Sequence, residues 1–117
     1  MVILITGGAG FIGSNLIRYW LQEHSDDVVV NFDALTYAGN LANLEKIENH
    51  PQYRFFHGDL RNTDQIDKVF SLFNIEAVIH LAAESHVDRS IYGPSDFINS
   101  NVRGTFNLLE ALRKKWD

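Results

Sequence analysis

VILITGGAGFIG, residues 2–13, decides how this chain is read. Its first four residues are apolar and three of them are β-branched, which suits a short strand buried on both faces. The run breaks into a glycine-rich turn at residues 7–10. Over residues 11–22, Ile12, Leu16, Tyr19 and Trp20 then recur at helical spacing. Within the turn, Gly8-x-Gly10-x-x-Gly13 overlaps a second triplet, Gly7-x-x-Gly10-x-x-Gly13. A glycine triplet alone is a weak signal. This one follows a strand, opens a helix, and precedes an acid, Asp33, 20 residues after Gly13 at the end of a second apolar run.

Those are the context requirements of a dinucleotide-binding turn, and each part has its own physical reason. The first glycines permit a tight turn with positive φ, and Gly10 removes a side chain that would block a diphosphate. Gly13 lets the helix pack closely on the strand. The free N–H groups at the helix start face the anion. An acid at the end of the second strand accepts hydrogen bonds from a ribose and repels a 2′-phosphate. Asp33, with no arginine close after it, therefore favours NAD over NADP. The competing reading is a tight turn that binds nothing, and the context of the fingerprint weighs against it. Asp59 has two open readings: it caps the turn after the third strand, or it lies beside the adenine.

The rest of the chain continues the alternation. VVVNFD (residues 28–33) and YRFFHGD (53–59) read as strands, each ending in an acid. Residues 63–73 put Ile66, Val69, Phe70 and Phe73 on one helical face, with Asn62 or Thr63 as cap. AVIHLAA (77–83) is a fourth strand. Over residues 95–116, Ile98, Val102, Phe106, Leu109, Leu112 and Trp116 form an amphipathic stripe, with Pro94 near its start. This order predicts an α/β, Rossmann-type parallel sheet with helices on both faces. Ligands of such sheets bind beyond the carboxyl ends of the strands, where the strand order reverses.

Bulk properties narrow the class. A chain of 117 residues with 45% hydrophobic content fits one small domain with a real core. A net charge of -5 argues against a general nucleic-acid binder. There is no cysteine, hence neither a disulfide framework nor a thiolate metal site. The apolar run at the N-terminus is too short for a signal peptide or a membrane span, so the expectation is a soluble, cytoplasmic protein without a membrane partner.

HLAAESHVDRSI (residues 80–91) gathers polar chemistry directly after an apolar run. It could be a nucleophile with its acid and base, a metal site, a ligand-binding loop or a solvated turn. No G-x-S-x-G elbow presents a nucleophile. None of the five histidines falls in a metal-ligand pattern, so His86 is not read as a ligand and no metal is expected. Asp88 and Arg89 read first as a loop-ordering pair. Phe97, Phe106 and Trp116 read as core or helix-packing residues.

TGGAGFIG resembles the extended short-chain dehydrogenase/reductase family. DALTYAGN (residues 33–40) and LAAESHVDRSI (81–91) look like the dTDP-glucose 4,6-dehydratases of deoxysugar and dTDP-rhamnose biosynthesis, and NVRGTFNLLEA (101–111) is shared more widely among extended members. The resemblance covers the whole chain. It implies NAD as cofactor and dTDP-glucose as substrate. By position it puts Phe11 and Ile12, with Gly7, Gly10 and Gly13, at the diphosphate. Asp33, Ala34, Leu35 and Thr36 would surround the adenosine ribose, and Asp59 and Leu60 the adenine. Leu81, Ala82, Ala83, Glu84 and Ser85 would line the nicotinamide half, with Ser100 nearby, and Ser85 would also touch the sugar nucleotide. Small Ala82 and Ala83 agree with a flat ring passing close to the backbone. On this reading the loop closes over NAD and meets substrate.

The family's reaction oxidises the hexose at C4, eliminates water across C5 and C6, and returns the hydride to C6. It depends on a Tyr-x-x-x-Lys pair and an Asp-Glu pair. Here Tyr19, Tyr37, Tyr53 and Tyr92 are followed four residues on by Glu23, Leu41, His57 and Asp96, and no adjacent Asp-Glu pair exists. The expectation is a partial NAD-binding domain over residues 1–117, with the substrate domain absent, no catalytic residue present and no dehydratase activity by the chain alone. A 3-2-1-4 strand order would leave the fourth strand as an uncovered edge, which invites pairing. The resemblance also implies a helix-bundle dimer through the helix at 95–116. A homodimer or self-associating fragment is therefore expected. The rivals are another extended-family sugar-nucleotide dehydratase or epimerase, and a non-catalytic NAD-binding or sensor module.

Overall fold

The structure, a computed structural model, describes residues 1–35, 41–82, 95 and 99–116, with the backbone alone at 41, 43, 99 and 100. The elements are β1 (Val2–Thr6), α1 (Phe11–Glu23), β2 (Val28–Asp33), a 3-10 turn (Leu41–Leu44), β3 (Tyr53–His57), α2 (Thr63–Leu72), β4 (Ala77–His80), a π segment (Asn99–Arg103) and α3 (Gly104–Trp116). The four strands form one sheet in the order β3-β2-β1-β4, and every pair is parallel. The order reverses at β1, so its carboxyl end and that of β4 flank the crevice where such sheets bind ligands.

Side-chain alternation along the strands builds two cores, one on each face. Ile3, Ile5 and Val29 face Ile17 and Leu21 of α1 together with Leu44 and Ile47. Leu4, Val30 and Phe32 face Ile66 and Val69 of α2 and Leu108 of α3. Burying strands on both sides is why VILI and VVV read as unbroken apolar runs. Phe32 stacks on Phe56 at a centroid distance of 5.5 Å. The α2 N-cap is Asn62, whose Oδ1 accepts from Gln65 N at 3.2 Å.

Four features differ from the sequence reading. The buried residues of α1 are Gly13, Ser14, Ile17 and Leu21, while Ile12 and Tyr19 are exposed, because small residues let this face seat against the sheet. β3 ends at His57, since Gly58 N returns to Asp33 O at 3.1 Å and Asp59 enters a turn closed by Asn62 N. β4 ends at His80, where the following amides turn toward Thr6. In the last helix the inward residues are Gly104 and Leu108, with Ala111 and Leu112 packed beside them. Phe106 and Trp116, expected in the core or in helix packing, are exposed within this chain, as are Val102 and Leu109. Ser95 is helical, and Phe97 and Ile98 lie outside the described residues.

Candidate functional site at the carboxyl edge

The glycine turn is fixed by backbone approach. Gly7 N donates to Phe32 O at 3.0 Å, and Gly7 adopts φ 75°. A Cβ there would stand 2.7 Å from Ala82 N, so only glycine allows β4's extension to cross the turn. A Cβ on Gly13 would stand 2.7 Å from Gly8 Cα, which explains how α1 sits directly on the turn. Gly10 is the N-cap of α1 and offers no side chain to cap it. The first-turn N–H groups, those of Phe11, Ile12 and Gly13, therefore open toward the crevice as a partial positive charge. Beside them Phe11 and Ile12 are 80% and 70% exposed, an unusual place for two large apolar side chains.

Asp33 closes the other side of the turn. It is 7% exposed; Oδ2 accepts from Ala9 N at 2.8 Å and Oδ1 from Leu35 N at 2.7 Å. Each carboxylate oxygen keeps acceptor capacity for a further donor. The carboxylate thus holds the turn in shape and can still receive hydroxyls. Leu35 takes φ 56°, a left-handed conformation that costs a non-glycine residue roughly 1–2 kcal/mol. Ala34 O accepts from His57 Nε2 at 3.0 Å, which ties the segment after β2 to the end of β3. Thr36 lies outside the described residues.

Asn31 was not singled out from sequence, yet it supports the turn from below. Its Oδ1 accepts from Gly8 N at 3.0 Å and its Nδ2 donates to Tyr53 Oη at 3.1 Å, all buried. Burial pushes the Tyr53 phenol pKa up, against a smaller opposing effect of the Asn31 hydrogen bond. An asparagine within VVVNFD was the available signal, because strand interiors seldom hold one without a task.

Asp59 forms an Asx turn. Its Oδ1 accepts from Arg61 N at 2.9 Å, and its carboxylate pairs with the Arg61 guanidinium, the shortest contact being 2.7 Å. Burial works to raise the Asp59 pKa, but the hydrogen bonds and charge of Arg61 outweigh it and hold the pKa below the ordinary value. Leu60 is buried in the second core, and its carbonyl accepts from Asn107 Nδ2 at 2.9 Å.

The end of β4 is held by a hydroxyl that sequence reading passed over. Thr6 Oγ1 accepts from Leu81 N at 3.0 Å and Ala82 N at 3.2 Å, and meets His80 Nδ1 at 2.6 Å. The other imidazole nitrogen, Nε2, lies 2.9 Å from Thr105 Oγ1. Burial pushes the His80 pKa down. Ser100 falls in the π segment that precedes α3. Ala83, Glu84 and Ser85, and with them His86, Asp88 and Arg89, lie outside the described residues.

The structure thus brings Gly7, Gly10, Gly13, Phe11, Ile12, Asp33, Leu81 and Ala82 to one edge of the sheet. Among the described residues no group of three or more His, Cys, Asp or Glu gathers as a metal site, and no helix is long and apolar enough to cross a membrane.

Topology and edge together define a Rossmann-type α/β unit. The family model for GDP-mannose 4,6 dehydratase matches residues 4–117, and the chain belongs to that family. It is 53% identical to the dTDP-glucose 4,6-dehydratase of Escherichia coli over 116 residues, covering 99% of this chain and 32% of that protein. The crystal structure of the dTDP-glucose 4,6-dehydratase of Bacillus anthracis in complex with NAD superposes with a TM-score of 0.87 at 41% identity, covering 98% of this chain and 34% of that one. The Streptomyces venezuelae enzyme, also crystallised with NAD, gives a TM-score of 0.86 at 47% identity, with 95% and 35% covered. The chain spans about a third of the length of the curated relatives it matches.

Proposed function

We propose that this chain is the NAD-binding portion of a dTDP-glucose 4,6-dehydratase. The observation that carries the reading is the 53% identity to a named dehydratase across nearly the whole chain, joined to relatives crystallised with NAD. The geometry is compatible with it. Gly7 and Gly13 leave no room for a Cβ, α1 begins uncapped, and buried Asp33 keeps free acceptor capacity.

In this reading the first turn of α1, at Phe11 and Ile12, holds the diphosphate. Asp33, Ala34, Leu35 and Thr36 receive the adenosine ribose, and Asp59 and Leu60 border the adenine. Leu81, Ala82, Ala83, Glu84, Ser85 and Ser100 line the nicotinamide half, with Ser85 reaching the sugar nucleotide. NAD, when bound, supplies a hydride acceptor and donor. The chain's own residues bind it, orient it and exclude water. The acid, base and hydride-step side chains belong to a larger catalytic unit, so the chain alone is inactive as a dehydratase. The same reading gives the protein a cytoplasmic place in dTDP-rhamnose biosynthesis.

Self-association through α3 belongs to the same proposal. Val102, Phe106, Leu109 and Trp116 form an exposed apolar stripe, 52–64% accessible, which a second copy would cover. Light scattering after size exclusion should give a mass above that of one chain at high concentration, and a clean monomer would sink this part.

Calorimetric titration with NAD and with NADP tests the cofactor reading. NAD should bind at least tenfold more tightly, equivalent to about 1.4 kcal/mol. Equal binding of NADP would remove the role given to Asp33.

A further inference from the structure

We propose that His80 is a positioning residue for the cofactor edge: as a neutral Nε2–H imidazole it locks the Thr6 hydroxyl beneath Leu81 and Ala82 and ties that clamp to the start of α3. The inference rests on the reading of Leu81 and Ala82 as cofactor-lining.

The tautomer follows from counting donors and acceptors. A threonine hydroxyl has one hydrogen to give and two lone pairs. Thr6 Oγ1 faces two amide hydrogens, that of Ala82 at 3.2 Å and that of Leu81, which is shared between Thr6 Oγ1 and Thr6 O at 3.0 Å each. Its own hydrogen therefore goes to His80 Nδ1, 2.6 Å away, which must be unprotonated. On the opposite side Thr105 Oγ1 donates to Asn101 O at 2.9 Å, so it can only accept from His80, at 2.9 Å. Both ends require Nε2–H. A charged imidazole would aim a hydrogen at an oxygen whose lone pairs are already taken.

This arrangement couples three segments. Thr6 and His80 are register partners on adjacent parallel strands, so their side chains share the face covered by α3. Thr105 stands one residue inside α3, directly after the π segment that contains Ser100. Ala82 N, held by Thr6, also lies where a Cβ on Gly7 would collide. Losing the clamp would let the Leu81–Ala82 backbone shift against the glycine turn. Among the described residues the groups hydrogen-bonded to His80 are the two hydroxyls, from β1 and α3, and burial pushes its pKa down.

The tautomer is read first, by long-range 1H–15N correlation of the His80 ring in the unliganded chain at neutral pH. Protonated Nε2 with bare Nδ1 is expected. Nδ1–H, or an even mixture, overturns the inference whether or not any variant folds. Two variants then separate the ends of the bridge. His80→Asn can present an oxygen near the Nδ1 position, and His80→Gln an NH2 near Nε2. His80→Gln should bind NAD about tenfold more weakly than His80→Asn, the scale of one hydrogen bond. Equal weakening, or the reverse order, overturns the positioning role, since a merely structural residue would not distinguish the two ends. Wild-type chain that shows Nε2–H but binds no NAD overturns the cofactor reading and the positioning role with it, while the tautomer assignment stands.

Discussion

The carboxyl edge and the outer face of α3 both expose large apolar side chains, but on different foundations. Phe11 and Ile12 stand over a turn whose backbone is tied at Gly7, Gly8, Ala9 and Gly10. Phe106, Leu109 and Trp116, with Val102 in the π segment just before them, stand on a helix whose opposite side is held mainly by Leu108. The first region is tied by hydrogen bonds to the ends of the strands beneath it. The second is a continuous face. Exposure alone does not distinguish a ligand site from a docking surface; the hydrogen-bonded frame beneath it does.

That contrast can be broken by substitution, most severely at Leu108, which is 2% exposed. Leu108→Ala should cost about 3 kcal/mol in urea unfolding by leaving a cavity under α3. Gly7→Ala should cost about 2 kcal/mol, from a left-handed alanine and a clash with Ala82. It should also weaken NAD binding, which no change on the α3 stripe should do. A smaller effect is expected from pH. The folded-state pKa of His80 is depressed by burial below the ordinary 6.5. The unfolded chain therefore takes up the proton first, and stability, complete above pH 6.5, declines as pH falls through that value toward the folded one. Replacing His80 by Asn should flatten this part of a stability–pH profile. Smallest is Phe106→Ser, expected to change unfolding free energy by less than about 0.5 kcal/mol. Its effect should appear in light scattering, as a shift toward monomer.

Legibility in the sequence followed the range of the forces involved. The glycine turn was readable because its sterics are local: strand, turn, helix and acid stand in fixed order. The parallel sheet was readable because the alternation leaves few topologies. Asn31 and His80 escaped because their partners lie far away in sequence, Tyr53 by 22 residues and Thr6 by 74. The buried side of α1 escaped because Gly13 and Ser14 pack by smallness, which hydropathy does not register. In the last helix the apolar spacing grouped Leu112 with Val102, Phe106, Leu109 and Trp116, yet Leu112 packs inward while the other four are exposed, because spacing says nothing about what covers a stripe. Two stripes compete there, and Leu108 with Leu112 won the sheet.

The most direct measurement is an NAD titration of the isotope-labelled chain followed by amide 1H–15N correlation. Shifts concentrated at residues 7–13, 33–35 and 81–82, with residues 106, 109 and 116 unmoved, are the predicted result. Shifts confined to the α3 stripe, or none in a folded chain, would contradict the account.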